Sequence, residues 1–154
     1  MRGFLSALYN IAVALWAGGL LAIGYLAAPV LFSQLADRSM AGTVAGAMFS
    51  VMAWVGLACG TYLLLFVIAG KGWRAVQSSV FWIVLLMLAV TAAGHFGVQP
   101  ILAQLKADAL PRQVMESALR DRFSTWHGVS SVLYLVQSLL GSALVVLQER
   151  GKGR

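Results

Sequence analysis

The sequence is short of charge, and its few acids are confined. Only 5 residues are Asp or Glu, and charged residues make up 10% of the 154. That is too little to solvate the surface of a soluble domain of this size. Residues 3–36, 39–70, 75–105 and 123–148 contain no Asp, Glu, Lys or Arg. With no carboxylate inside these runs, a Ser-His-Asp triad, paired-carboxylate chemistry and an intramembrane carboxylate relay are excluded. Cysteine is reduced to Cys59, which excludes an intramolecular disulfide and any thiol-pair chemistry. No Gly-rich phosphate loop, no Ser/Pro-rich linker and no internal repeat interrupts the chain, and only the terminal GKGR is of low complexity.

What is present is apolar length. Hydrophobic residues make up 60% of the chain and the mean hydropathy is +0.85. Each uncharged run exceeds the roughly 20 residues a helix needs to cross about 30 Å of hydrocarbon. The expected fold is an all-α integral membrane four-helix bundle, one domain over 1–154, with helices near 4–35, 41–70, 75–105 and 123–148. The first run is expected to stay as a membrane helix, since a signal-peptide apolar core is only about 7–15 residues long. No cleaved leader and no soluble domain are expected.

An even number of crossings puts both termini on one side. That side carries Arg2, Lys71, Arg74, Arg150, Lys152 and Arg154, against Arg38, Lys106, Arg112, Arg120 and Arg122 on the other. The short KGWR connection, where the positive-inside bias is strongest, belongs to the first set. Both termini are therefore expected in the cytoplasm and the protein in the inner (plasma) membrane. The pI of about 10.1 does not signal nucleic acid, because the basic residues are scattered at helix ends; lipid headgroups are the expected partner.

Between the third and fourth runs, residues 106–122 combine Pro111 with apolar Leu110, Val114, Met115, Ala118, Leu119 and Phe123. This pattern predicts a short amphipathic helix over about 110–122, lying on the outer membrane surface. In the second run Gly42, Gly46, Ala53, Gly56 and Gly60 share one face, expected to pack tightly against the first run. Pro29 and Pro100 are expected to bend or terminate their helices.

The fourth run carries a polar stripe. His127, Ser131, Tyr134, Ser138 and Gly141 recur at steps of 4, 3, 4 and 3, with Ser130 and Gln137 beside them and Arg122 just ahead. Val129, Val132, Leu133, Val136 and Leu140 fill the opposite side. A polar stripe in a membrane is expected to face the bundle interior. On the third run Thr91, His95 and Gln99 are spaced by four. At 1.5 Å per residue, His95 and His127 are expected at similar depth with converging faces. Two converging imidazoles suit a metal or haem b, and Met48 and Met52 could add thioether ligands for copper. The competing reading is that the histidines only hydrogen-bond within the bundle and the methionines only fill gaps.

At Trp16 and Gly19 through AAPVLF (27–32), AGTVAGAMF (41–49), Pro100 and RDRFSTWHGVSS (120–131), the chain resembles the family called domain of unknown function 4149. That family is typified by eukaryotic transmembrane protein 205. The resemblance implies the same helix order and the long loop before the last helix. It carries over to Phe32, Gly42, Phe49, Arg122, Phe123, His127, Gly128, Ser130 and Ser131, whereas Tyr134 stands where asparagine is expected. It implies no defined reaction. The fold also looks similar to copper-resistance D-type membrane proteins and to HemJ-type protoporphyrinogen oxidases. Such an oxidase should carry a histidine in its first helix and a lysine in its third; run 3–36 has no histidine and run 75–105 has no lysine. An enzyme is therefore the weaker expectation.

Three readings stay open at this point. The chain binds or moves a small solute or metal ion through a polar interior with His127 at its outer end; or it is a haem-binding oxidoreductase using His95 and His127; or it is a non-catalytic scaffold or homo-oligomer subunit.

Overall fold

The computed structural model describes residues 2–110 and 113–152, with the side chains of 3–110 and 113–148. Four stretches in it are long and apolar enough to cross a membrane: Gly3–Gln34, Arg38–Gln77, Ser79–Asp108 and Arg120–Gln148. The first span is helix α1 (Arg2–Ala22), a π turn (Ile23–Ala27) and α2 (Ala28–Gln34). The second is α3 (Arg38–Lys71), extended by a 3-10 turn over Gly72–Gln77. The third is α4 (Ser79–Ala92), a π turn (Ala93–Val98) and α5 (Gln99–Asp108), and the fourth is α6 (Arg120–Lys152). No strand occurs among the described residues.

The helix ends follow from local chemistry. Asp37 is extended and its carboxylate accepts from the Ser39 N–H at 2.8 Å, capping α3. Gly72 ends that helix at φ 56°, a backbone state that costs a side-chain-bearing residue energy. Of the two outcomes expected at Pro29 and Pro100, bending or termination, termination does not occur. A proline lacks an N–H and crowds the carbonyl four residues back. Here a widened turn precedes each one, with the Ala28 N–H reaching the Ile23 carbonyl and the Gln99 N–H reaching the Gly94 carbonyl. The wide turn absorbs the proline and the helix continues.

The amphipathic helix expected over 110–122 is replaced by one 3-10 turn, Val114–Glu116, with α6 beginning at Arg120. Pro111 and Arg112 lie outside the described residues. Ser117 causes the break: its backbone is extended, its hydroxyl donates to the Val114 carbonyl at 2.8 Å and accepts from the Leu119 N–H at 3.1 Å. A serine that satisfies backbone groups on both sides competes with helix continuation.

The spans form a ring in which the first and third each pack on the second and fourth. Both termini share one end, where the Asn10 and Gln148 side chains bond and the Tyr62 hydroxyl donates to the Leu5 carbonyl. We call this the terminal end and the opposite one the distal end. At the centre sit Val13, Trp16, Leu63, Val84, Met87 and Leu144. Leu21, Val51, Leu65, Trp82, Val132 and Leu139 point outward and exposed. Apolar side chains on the outside of spans this long belong against lipid.

The contact of the first two spans is a knob in a notch. The indole of Trp16, 1% exposed, lies against Gly56 and Gly60, where any Cβ would collide with it. Gly19 likewise receives the Met52 thioether. The glycine face on α3 does not act as one surface: Gly46 has nothing within 4 Å and is exposed, while Ala41 and Ala45 are buried in its place. The indole keeps the two backbones from the uniform close approach that small residues alone would allow.

Candidate functional site

The polar stripe of α6 splits into two halves. In the half nearer the terminal end, Gln137 and Ser138 are each 4% exposed. The Gln137 amide donates to the Thr91 hydroxyl on α4 at 2.9 Å, and Thr91 in turn donates to its own Met87 carbonyl. The Tyr134 hydroxyl donates to the Leu20 carbonyl of α1 at 2.5 Å. Its ring fills the space left by the missing side chain of Gly24 and meets Phe49 edge-on at 5.0 Å. Tyr134 thus joins three spans. Ser138 and Ser142 return their hydroxyls to carbonyls one turn back in α6. Tyr134, Gln137 and Ser138 turn inward as expected, and the bonds of Tyr134 and Gln137 tie α6 to the neighbouring spans.

Tyr134→Phe should remove the α6 to α1 bond with little change of shape. Intramembrane hydrogen bonds measure about 0.6 kcal/mol on average and up to about 2. The expected loss is about 1 kcal/mol, read from denaturant or thermal unfolding in detergent micelles.

The distal half is different. His127 and Ser131 are exposed and Ser130 is half-buried. The His127 ring stacks on Phe123 at 5.8 Å with 10° between the planes, and Ser131 donates to the His127 carbonyl. Arg122 is exposed one residue before Phe123.

His95 does not join His127. Its ring meets Trp54 of α3 at 5.1 Å and Phe96 at 4.9 Å, edge-on in both cases. Among the described residues no ring contact or hydrogen bond links the two imidazoles, and the buried His95 Nδ1 has no partner. Thr91 on α4 addresses α6 through Gln137, whereas His95, inside the π turn Ala93–Val98, meets Trp54 of α3. No group of three or more His, Cys, Asp or Glu that could hold a metal ion occurs among the described residues. Met52 is buried against Gly19 and Met48 is half-buried.

What the distal end does assemble is centred on Lys106, which the sequence places at the start of the 106–122 connection. The third span runs on to Asp108, so Lys106 sits in the last turn of α5. Its ammonium donates to the Gly42 carbonyl at 3.4 Å and lies 5.8 Å from the centre of the Phe123 ring. Phe32 and Lys106 Nζ each come to 3.8 Å from where a Gly42 side chain would start. Phe32 on α2, Gly42 on α3, Lys106 on α5, and Phe123 with His127 on α6 therefore meet in one place. Among the described residues Lys106 forms no ion pair, and its side chain is half-buried. The one signal in the sequence was a lone lysine four residues past Leu102 at a helix end, a pattern shared by many solvated lysines.

A ring of four long apolar helices with lipid-facing outer surfaces defines a membrane protein. The family model described as a domain of unknown function (DUF4149) matches residues 11–111, more than half of the 154-residue chain, and the chain belongs to that family. The match covers Phe32, Gly42, Phe49, Pro100 and Lys106, while Phe123 and His127 lie beyond it. No curated protein and no solved structure matches the chain.

Proposed function

We propose that this protein binds a small anionic solute at the distal end of its bundle, with Lys106 as the charged contact, and that it does not conduct the solute through its interior. On the reading of the Lys and Arg distribution given above, the termini lie in the cytoplasm and the site faces the outer side of the inner membrane. The observation that carries the proposal is the half-buried ammonium of Lys106, which forms no ion pair among the described residues. A cation withdrawn from water without a carboxylate is costly unless a partner arrives. The Phe123 face and the Gly42 carbonyl hold it in place but leave ammonium protons free for an anion. His127, exposed and stacked on Phe123, adds a donor or acceptor at the mouth. Conduction is disfavoured by the Tyr134 ring, which sits between three spans below the site.

Adding inorganic phosphate or acetate to the micelle-purified chain should raise its melting temperature saturably. Lys106→Gln should abolish the rise, and Lys106→Arg should keep most of it. An equal rise in wild type and Lys106→Gln would refute the assignment.

A second reading, a scaffold or homo-oligomer subunit, is favoured by the interspan bonds of Tyr134 and Gln137, which serve the bundle alone. It expects no saturable response to either anion.

A further inference from the structure

An open space lies at the terminal end, away from Lys106. Two adjoining cavities of about 250 and 310 Å3 share Tyr9, Phe66 and Val80 and form one cleft between the spans. Its walls are apolar, with Val67 and Leu147 beside the shared residues. Its rim is polar. Lys71 donates to the Ser78 hydroxyl at 3.1 Å on one side, and the bonded side chains of Asn10 and Gln148 lie on the other.

The depth of the cleft identifies its surroundings. Lys71 is the last residue of α3, and the neighbouring Trp73 is 92% exposed. A lysine and a tryptophan at a helix end mark the headgroup level of a bilayer. Phe66 lies five residues deeper, roughly 7 Å at 1.5 Å per residue, where acyl chains begin. The cleft therefore spans the boundary between headgroup and chain. Its charge is one-sided: the acidic residues whose side chains are described, Asp37, Asp108, Glu116 and Asp121, belong to the distal connections and the first turn of α6. Among the described side chains Lys71 faces no carboxylate, and Arg74 stands three residues away.

We propose that this cleft is a binding site for an anionic glycerophospholipid, its phosphate on Lys71 and Ser78 and one acyl chain along Phe66 and Val80. The lysine supplies charge and the serine hydroxyl a directed donor, while the aromatic and branched walls take the chain that a free phosphate lacks. The Asn10 and Gln148 amides, on the far side of the rim, supply polar groups for the lipid's ester carbonyls.

The test is native mass spectrometry of the full chain in a neutral detergent, with added phosphatidylglycerol or phosphatidylcholine. Wild type should retain one phosphatidylglycerol in preference to phosphatidylcholine. Lys71→Gln should weaken that retention roughly fivefold, the scale of one surface cation against an anionic lipid. Val80→Trp, which fills the shared wall, should weaken it with the charge intact, and Arg74→Gln, outside the cleft lining, should leave it nearly unchanged. Equal retention of the two lipids, or equal losses in Lys71→Gln and Arg74→Gln, would overturn the proposal in favour of non-specific surface attraction. Unchanged binding in Lys71→Gln would overturn it outright.

Discussion

Gly60→Leu should cost the bundle about 3 kcal/mol or more, at the upper end of what overpacking a filled core does. A Cβ at this position would lie 2.6 Å from atoms of both Trp16 and Leu88. The indole has no room to retreat, because it is 1% exposed and its nitrogen edge already abuts Gly56. Unfolding in mixed micelles, followed by helical circular dichroism against sodium dodecyl sulfate fraction, measures the loss. Gly46→Leu supplies the contrast. It has nothing within 4 Å of its Cβ position and gains helix propensity on losing glycine, so it should change stability by less than about 1 kcal/mol. If Gly46→Leu were as damaging as Gly60→Leu, the glycine face would be packing against something other than this chain, and an oligomer would be indicated.

Trp16→Ala should be destabilising on a similar scale, about 3–5 kcal/mol by analogy with aromatic truncations in closed cores. Hydrophobic transfer contributes little between helices already in lipid, so the cost here is lost dispersion contact across the notch. The two effects should also couple. In Trp16→Ala the space that Gly60→Leu needs is available, and the double variant should be more stable than the sum of the single losses by about 1–3 kcal/mol. Additive losses would show that the indole and Gly60 do not share one contact.

Much of this architecture is written in the sequence, for a physical reason. Lipid solvent forces long uncharged runs and satisfied backbones, so four spans, their order and the shared end of the termini could be read from the placement of 16 charged residues. The inward direction of Tyr134, Gln137 and Ser138 followed from the 3.6-residue period of an uninterrupted α6. The period failed where the backbone left it. His95 lies inside the π turn Ala93–Val98 and meets Trp54, and no local residue preference announces such a turn except the proline behind it. Ser117 ended the expected 110–122 helix through two hydrogen bonds that a hydrophobic pattern does not register.

The distal site was legible only in pieces. Phe32, Gly42, Phe123 and His127 carried the family resemblance, yet nothing in their spacing shows that they gather around Lys106. That convergence depends on contacts between residues more than sixty positions apart, such as Lys106 with Gly42. The terminal cleft was invisible for the same reason, since it is a gap between helices and belongs to none of them.

The most direct test of a stripe that is open at its distal half and sealed at the other is thiol labelling in nanodiscs. On a Cys59→Ala background, single cysteines replace His127, Ser131, Gln137 and Ser138, and a water-soluble maleimide reports access. Cysteines at 127 and 131 should label readily, while those at 137 and 138 should stay unlabelled until the bundle is denatured. Labelling at 138 as fast as at 127 would show a water-filled path past Tyr134, and a conducting protein would replace the binding one described here.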